Sequence, residues 1–179
     1  MTMVRTVTEQ DRIDDFDRKM GRVIPDEFRA WLIENGFFRQ AASSKFHGCY
    51  EGGLYDHSMT VLKNLLELTK KLGLKWGRWQ SPFIIGMLHD LCKYDQYVLT
   101  KDGFKFNRNT EIHGHGDKSV TLISRFMDLT DEEQFCIRYH MGAFTEKEEW
   151  QNFTEAIHNF PTVLYVHTAD MIAAHIELT

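Results

Sequence analysis

A histidine and an aspartate stand side by side in the apolar run Gly86-Met87-Leu88-His89-Asp90-Leu91-Cys92-Lys93. That run constrains the fold more than any other feature of the chain. Its aliphatic residues call for burial, and an imidazole and a carboxylate buried with them are costly unless something pairs with them. A divalent metal ion is the natural partner, because both groups are good ligands for one. Three more ligand-type residues stand in similarly apolar settings, His57, His140 and Asp170, and His115 lies on a loop.

The periodicity around these residues is helical. Residues 8–20 are polar with Ile13 and Phe16 on one side, a short surface helix. A second helix opens at Pro25, carries Phe28, Trp31, Leu32 and Ile33, and stops at Gly36. Residues 37–49 read as a connection or short helical turns. From Gly53 to Leu72, the residues Val61, Leu65, Leu68 and Leu72 share one face, and one turn back that face reaches His57. Gly73 closes this helix.

Ser81-Pro82 has the form of a helix start, with serine as cap and proline in the first turn. The helix it opens runs to about Lys93 and is apolar nearly all round, which places it centrally in a bundle. It carries His89 and Asp90. Neighbouring helical residues diverge by roughly 100°, so the two side chains flank one point or serve two adjacent ions. Tyr97-Val98-Leu99 and Phe104-Lys105-Phe106 flank an Asp102-Gly103 turn, a small hairpin near 97–107. A helix over 117–127 follows. Thr130 and Glu133 make a capping box for a helix ending near His140, residues 145–160 are helical, and Pro161 opens a last helix to Leu178. The predicted fold class is all-α, a helical bundle with one small β-hairpin. Polar inward residues converging from separate helices are how bundles build metal sites.

The bulk properties fit one domain over residues 1–179, with short amino-terminal helices over about 8–36 and a core over about 52–179. A net charge of −5 provides no global basic field for nucleic acid. Residues 1–10 lack the apolar core of a signal peptide, and no apolar run approaches a membrane span. Cys49, Cys92 and Cys136 form no CxxC pair and read as reduced thiols of a cytoplasmic protein. Cys92 reads as a small core filler. His47, His158 and His175 belong to no pattern and read as solvent-exposed.

Four ordered stretches carry a family resemblance: Gly52-Gly53-Leu54-Tyr55-Asp56-His57-Ser58, Leu88-His89-Asp90-Leu91-Cys92-Lys93, Gly114-His115-Gly116-Asp117-Lys118-Ser119 and His167-Thr168-Ala169-Asp170. From about Gly52 to Ala174 the chain resembles the HD-domain superfamily of metal-dependent phosphohydrolases. Convergence of the ligands is what this resemblance implies; their spacing alone does not give it. Within it, His57, His89, Asp90 and Asp170 correspond to the shared metal-binding set. His115 and His140 correspond to the extra histidines of the two-metal subgroup. His113 competes with His115 for that place, and the Gly-His-Gly-Asp-Lys-Ser match favours His115. Asp90 then bridges two ions, one oxygen to each.

The implied activity is hydrolysis of a phosphate ester in a nucleotide or short oligonucleotide. Two divalent ions, of manganese, iron, cobalt, nickel or zinc, polarise the phosphoryl group and convert a bridging water into the attacking hydroxide. Asp90 and Lys93 are the expected catalytic residues. Lys93 lies three residues after Asp90, where a lysine contacts substrate in resembling proteins. Lys118 and Arg138 are further candidates for substrate phosphate, and His167 for orienting ligands. The alternatives are an HD-type mixed-valent diiron oxygenase, which resembles the same ligand order, and a non-catalytic, regulatory metal-binding domain.

Overall fold

The computed structural model describes residues 6–177; the first five residues and Leu178 of the expected last helix lie outside the described residues. Eight α-helices and one two-stranded antiparallel sheet are present among the described residues.

Helix α1 (Glu9–Met20) starts on a capping box of Thr8 and Asp11. Ile13, Phe16 and Met20 are buried, so the helix expected at the surface is anchored by an apolar side. Its Arg12 is buried too and forms a two-pronged pair with Asp56, both bonds 3.0 Å. Helix α2 (Asp26–Glu34) stacks Phe28 on Phe126 at 4.7 Å and leans Trp31 on Tyr94 at 5.0 Å. The following segment folds tightly over the start of α3 (Gly53–Leu72). A Cβ at Gly53 would lie 2.0 Å from the Gly48 carbonyl oxygen, so only glycine allows that approach.

Helix α3 packs chiefly against α4 (Ser81–Leu88) and α8 (Thr162–Ile172). A Cβ at Gly86 would meet the Leu62 backbone at 2.7 Å, which brings α3 and α4 into direct contact. The inward stripe of α3 holds Val61 and Leu65, but Leu72, expected on it, is 55% exposed because the last turn extends past the core. Helix α4 is buried nearly all round, as its composition demands. Ser81 is not its cap. Gln80 holds that position, and the buried Ser81 hydroxyl instead donates to Glu133 Oε1 at 2.8 Å.

Helix α4 ends earlier than its apolar run, at Leu88. The chain continues through His89 and Asp90 into a 3₁₀ turn, Leu91–Asp95. Tightening to three residues per turn sets side chains three apart directly over each other. Lys93 thereby sits above Asp90. Strands β1 (Tyr97–Thr100) and β2 (Gly103–Phe106) form the hairpin, with Thr100 opposite Gly103. Helix α5 (Gly116–Ile123) is shorter than expected, and α6 (Asp131–Arg138) begins on the Thr130–Glu133 capping box. Helix α7 (Trp150–Asn159) follows, and α8 passes into a π turn at Ala173–Glu177. One apolar cluster takes in Phe16 and Phe28 as well as Leu62, Ile85 and Val166.

Candidate metal centre

Each ligand-type residue arrives from a different place. His57 comes from the first turns of α3. His89 and Asp90 come from the junction between α4 and the 3₁₀ turn. His115 immediately precedes α5, His140 lies just beyond α6, and Asp170 is on the inner face of α8. His57, His89, Asp90 and His140 are buried, and Asp170 nearly so. Only His115, with 28% of its side chain exposed, opens noticeably to the outside.

The carboxylate of Asp90 divides the cluster in two. On one side, Oδ2 lies 3.5 Å from His57 Nε2 and 3.6 Å from His89 Nε2. Those two nitrogens are 3.4 Å apart, and Asp170 Oδ1 stands 3.1 Å from His57 Nε2. On the other side, Oδ1 lies 3.1 Å from His115 Nε2 and 3.4 Å from His140 Nε2, with the two nitrogens 3.0 Å apart. Two nitrogens on one ion, each about 2.1 Å away and about 90–110° apart, are themselves about 3.0–3.4 Å apart. Both pairs have that spacing.

The protons point the same way. His89 Nδ1 lies 3.1 Å from the Gly86 carbonyl and His140 Nδ1 2.7 Å from that of Ile137. Each donates there and leaves Nε2 bare towards the centre. His115 Nδ1 is 3.2 Å from the Cys92 sulfur, a contact that either the thiol or the imidazole can donate. Asp90 Oδ1 is buried and accepts no hydrogen bond, although two imidazole nitrogens face it. Lone pairs directed at one another around an orphaned carboxylate oxygen fit a divalent cation. The groups His57–His89–Asp90 and Asp90–His115–His140 can each hold one, as can His89–His140–Asp170.

The charges agree. Burial pushes His89 down to about 3 and lowers His115, so both imidazoles are neutral. Burial also works against charge on Asp90 and Asp170. Lys93 nevertheless holds Asp90 well below the usual carboxylate range, and a hydrogen bond from His57 lowers Asp170. On His140, burial opposes a proton but contact with Asp90 prevails and raises it. Lys93 Nζ sits 2.7 Å from Asp90 Oδ2, and that pairing overrides burial and raises its pKa.

The other candidates are engaged in contacts of their own. Lys118 is buried and ion-paired with Asp95, beneath the Tyr94 ring. Arg138 is paired with Asp117 at 3.1 Å and is 43% exposed. His113 is exposed, beside Thr110 at 3.5 Å, so His115 is the histidine of that loop that meets the centre. His167 Nδ1 bonds the His140 carbonyl at 2.8 Å and fixes the backbone of that residue.

Two neighbours of the centre escape sequence reasoning. His47, read as solvent-exposed, is half-buried with its ring 4.9 Å from that of His57, and burial pushes it down to about 4. Its segment has no periodicity that could reveal this. Cys92 is buried as expected, and burial pushes its thiol up to about 12, but it also backs His115. Its backbone N–H donates to Ser119 Oγ at 2.9 Å.

Against known proteins, the sequence model of one family, the HD domain, matches residues 54–174. No curated protein and no solved structure is significantly similar to the chain. No helix among the described residues is long and apolar enough to cross a membrane.

Proposed function

The chain belongs to the HD-domain family, and from that premise we propose that it is a phosphohydrolase with two divalent ions seated on either side of Asp90, cleaving a phosphate ester of a nucleotide or oligonucleotide. The observation that carries this reading is the division of Asp90, whose two oxygens each face a separate pair of imidazole Nε2 atoms.

Divalent ions in those places supply Lewis acidity towards a phosphoryl oxygen and towards water. His57, His89, Asp90 and Asp170 would hold one, and Asp90, His115 and His140 the other. The Gly86 and Ile137 carbonyls keep the His89 and His140 rings in the binding tautomer. Lys93 faces the same carboxylate with its side chain 13% exposed. It neutralises charge that builds on the phosphoryl oxygens, the role a preorganised cation plays in such reactions. Lys118 acts at one remove. By clamping Asp95 it fixes the end of the turn that carries Lys93.

The test is turnover of a phosphate ester under strict anaerobiosis with manganese, in labelled water. Label is expected in the released phosphate or nucleotide. Lys93→Ala should keep its metal and fold yet lose about a hundredfold or more in kcat/KM. Activity that appears only with iron and dioxygen, with label arriving from dioxygen, would overturn the hydrolase and indicate an oxygenase.

A further inference from the structure

Of the four histidines at the centre, His57 is held least by its own bonds. His89 and His140 are each tied through Nδ1 to a backbone carbonyl, and His115 Nδ1 rests on the Cys92 sulfur. His57 Nδ1 is buried and has no hydrogen-bond partner. A ligand ring is ordinarily oriented by the bond its other nitrogen makes. Without one, the place of the His57 ring is inherited from the backbone that carries it.

That backbone is a weak start for a helix. Helix α3 opens on Gly52-Gly53, no side chain caps it, and His57 is its fifth residue. Glycines lose more backbone freedom on ordering than other residues, and the first N–H groups of an uncapped helix lack acceptors. Helix α1 pins this start from outside. Arg12, its side chain 8% exposed, donates through Nε and Nη2 to the two oxygens of Asp56, the residue before His57. It lies against Gly52 as well. One turn further along α1, Asp15 accepts a bond of 3.0 Å from the Tyr55 hydroxyl, and Tyr50 Oη adds a bond of 3.1 Å to Asp56. A two-pronged guanidinium–carboxylate pair fixes orientation as well as distance. Of the consecutive residues Tyr55, Asp56 and His57, two are thus fastened to α1 and the third faces the centre. Helix α1 lies outside the residues matched by the family model.

We propose that Arg12 is a positioning residue of the metal centre: through Asp56 it sets the first turns of α3 so that His57 reaches the ion on the Oδ2 side of Asp90. The effect belongs to that side alone, because His115 and His140 come from other elements. The proposal rests on the two-ion part of the phosphohydrolase reading and is independent of which ester is cleaved.

The experiment is calorimetric titration of manganese into two backgrounds, with hydrolysis of phosphate esters measured in parallel. His115→Ala isolates the Oδ2 side and His57→Ala the Oδ1 side. Adding Arg12→Ala to the first should weaken binding about tenfold or more, the loss that follows when a residue orienting a ligand is removed. Adding it to the second should leave the affinity within about twofold. Asp56→Asn keeps the size and weakens the two-pronged pair. It should act in the same direction to a smaller extent, and it serves where Arg12→Ala fails to fold. Arg29→Ala is the control for loosened amino-terminal helices. It breaks a second two-pronged pair, with Asp17 at 2.5 and 2.6 Å, and should leave both affinities unchanged. Equal losses on the two sides, or a loss matched by Arg29→Ala, would overturn the proposal and make Arg12 a structural pair only. Unchanged binding in the His115→Ala background would overturn it too. The expected one-sided loss with no ester hydrolysed would support the proposal and count against the phosphohydrolase reading instead.

Discussion

Asp90 is the one residue both halves of the centre share, and so it is the one whose loss should empty both. Asp90→Asn keeps the size and removes the charge; metal analysis after remetallation should fall from two equivalents per chain to well under one. His115→Ala and His140→Ala touch only the Oδ1 side and should each leave about one. A centre that saturates at one equivalent in the wild type, unmoved by His115→Ala, would show that only the His57 side binds. At this scale the ligand types were legible in the sequence, because a buried histidine or aspartate in an apolar helix is conspicuous. Their meeting was not: it came with the family resemblance. His47 and the Cys92–His115 contact were illegible for another reason. One lies on an irregular segment and the other on a side chain that ranks as an ordinary core residue.

Among the elements, α6 is fastened to the start of α4 through one buried carboxylate. Glu133 takes two bonds from Arg78, at 2.8 and 2.6 Å, one from Ser81 and one from the Thr130 backbone at its own cap. Removing it leaves the buried Ser81 hydroxyl without its acceptor and Arg78 with only the Asp128 carbonyl, at 3.1 Å. Glu133→Ala should therefore cost about 3–5 kcal/mol of stability, read from denaturant unfolding. Burial works against the charged carboxylate, but Arg78, Thr130 and Ser81 prevail and lower its pKa below the ordinary 4.5. A lowered native pKa means that the unfolded chain takes up the proton first. The contribution is complete above about pH 4.5 and fades as pH falls through the lower native value. Wild-type stability should drop in that window more steeply than that of Glu133→Gln. Equal slopes would remove Glu133 from this role. The capping box of α6 could be read from Thr130 and Glu133 alone. The further bonds could not, because Ser81 before a proline has the form of a cap, and only the packed bundle shows its hydroxyl turned to another helix.

For the whole molecule, helical periodicity gave the bundle and an Asp-Gly pair gave the hairpin, both present as expected. Local pattern is a sound guide where one face of each helix must be buried. What it could not supply was where α4 stops, since its apolar run continues without a break past Leu88 into the 3₁₀ turn.

The ligands stretch along the chain from His57 on α3 to Asp170 on α8, with others between. This separation governs timing. No short stretch of the chain can grip an ion by itself, so ions find a complete site only after the distant helices have closed on one another. They arrive too late to guide the search for the fold and serve instead as a lock on its exit. Each ion at a hundred times its dissociation constant adds about 2.7 kcal/mol. That gain should appear almost wholly as slower escape, with the unfolding rate falling about a hundredfold for each ion bound and the folding rate unchanged. Stopped-flow traces with manganese and with chelator would show it as displacement of one arm of the chevron alone. Acceleration of the folding arm would mean that a partial site forms early, before α8 has docked.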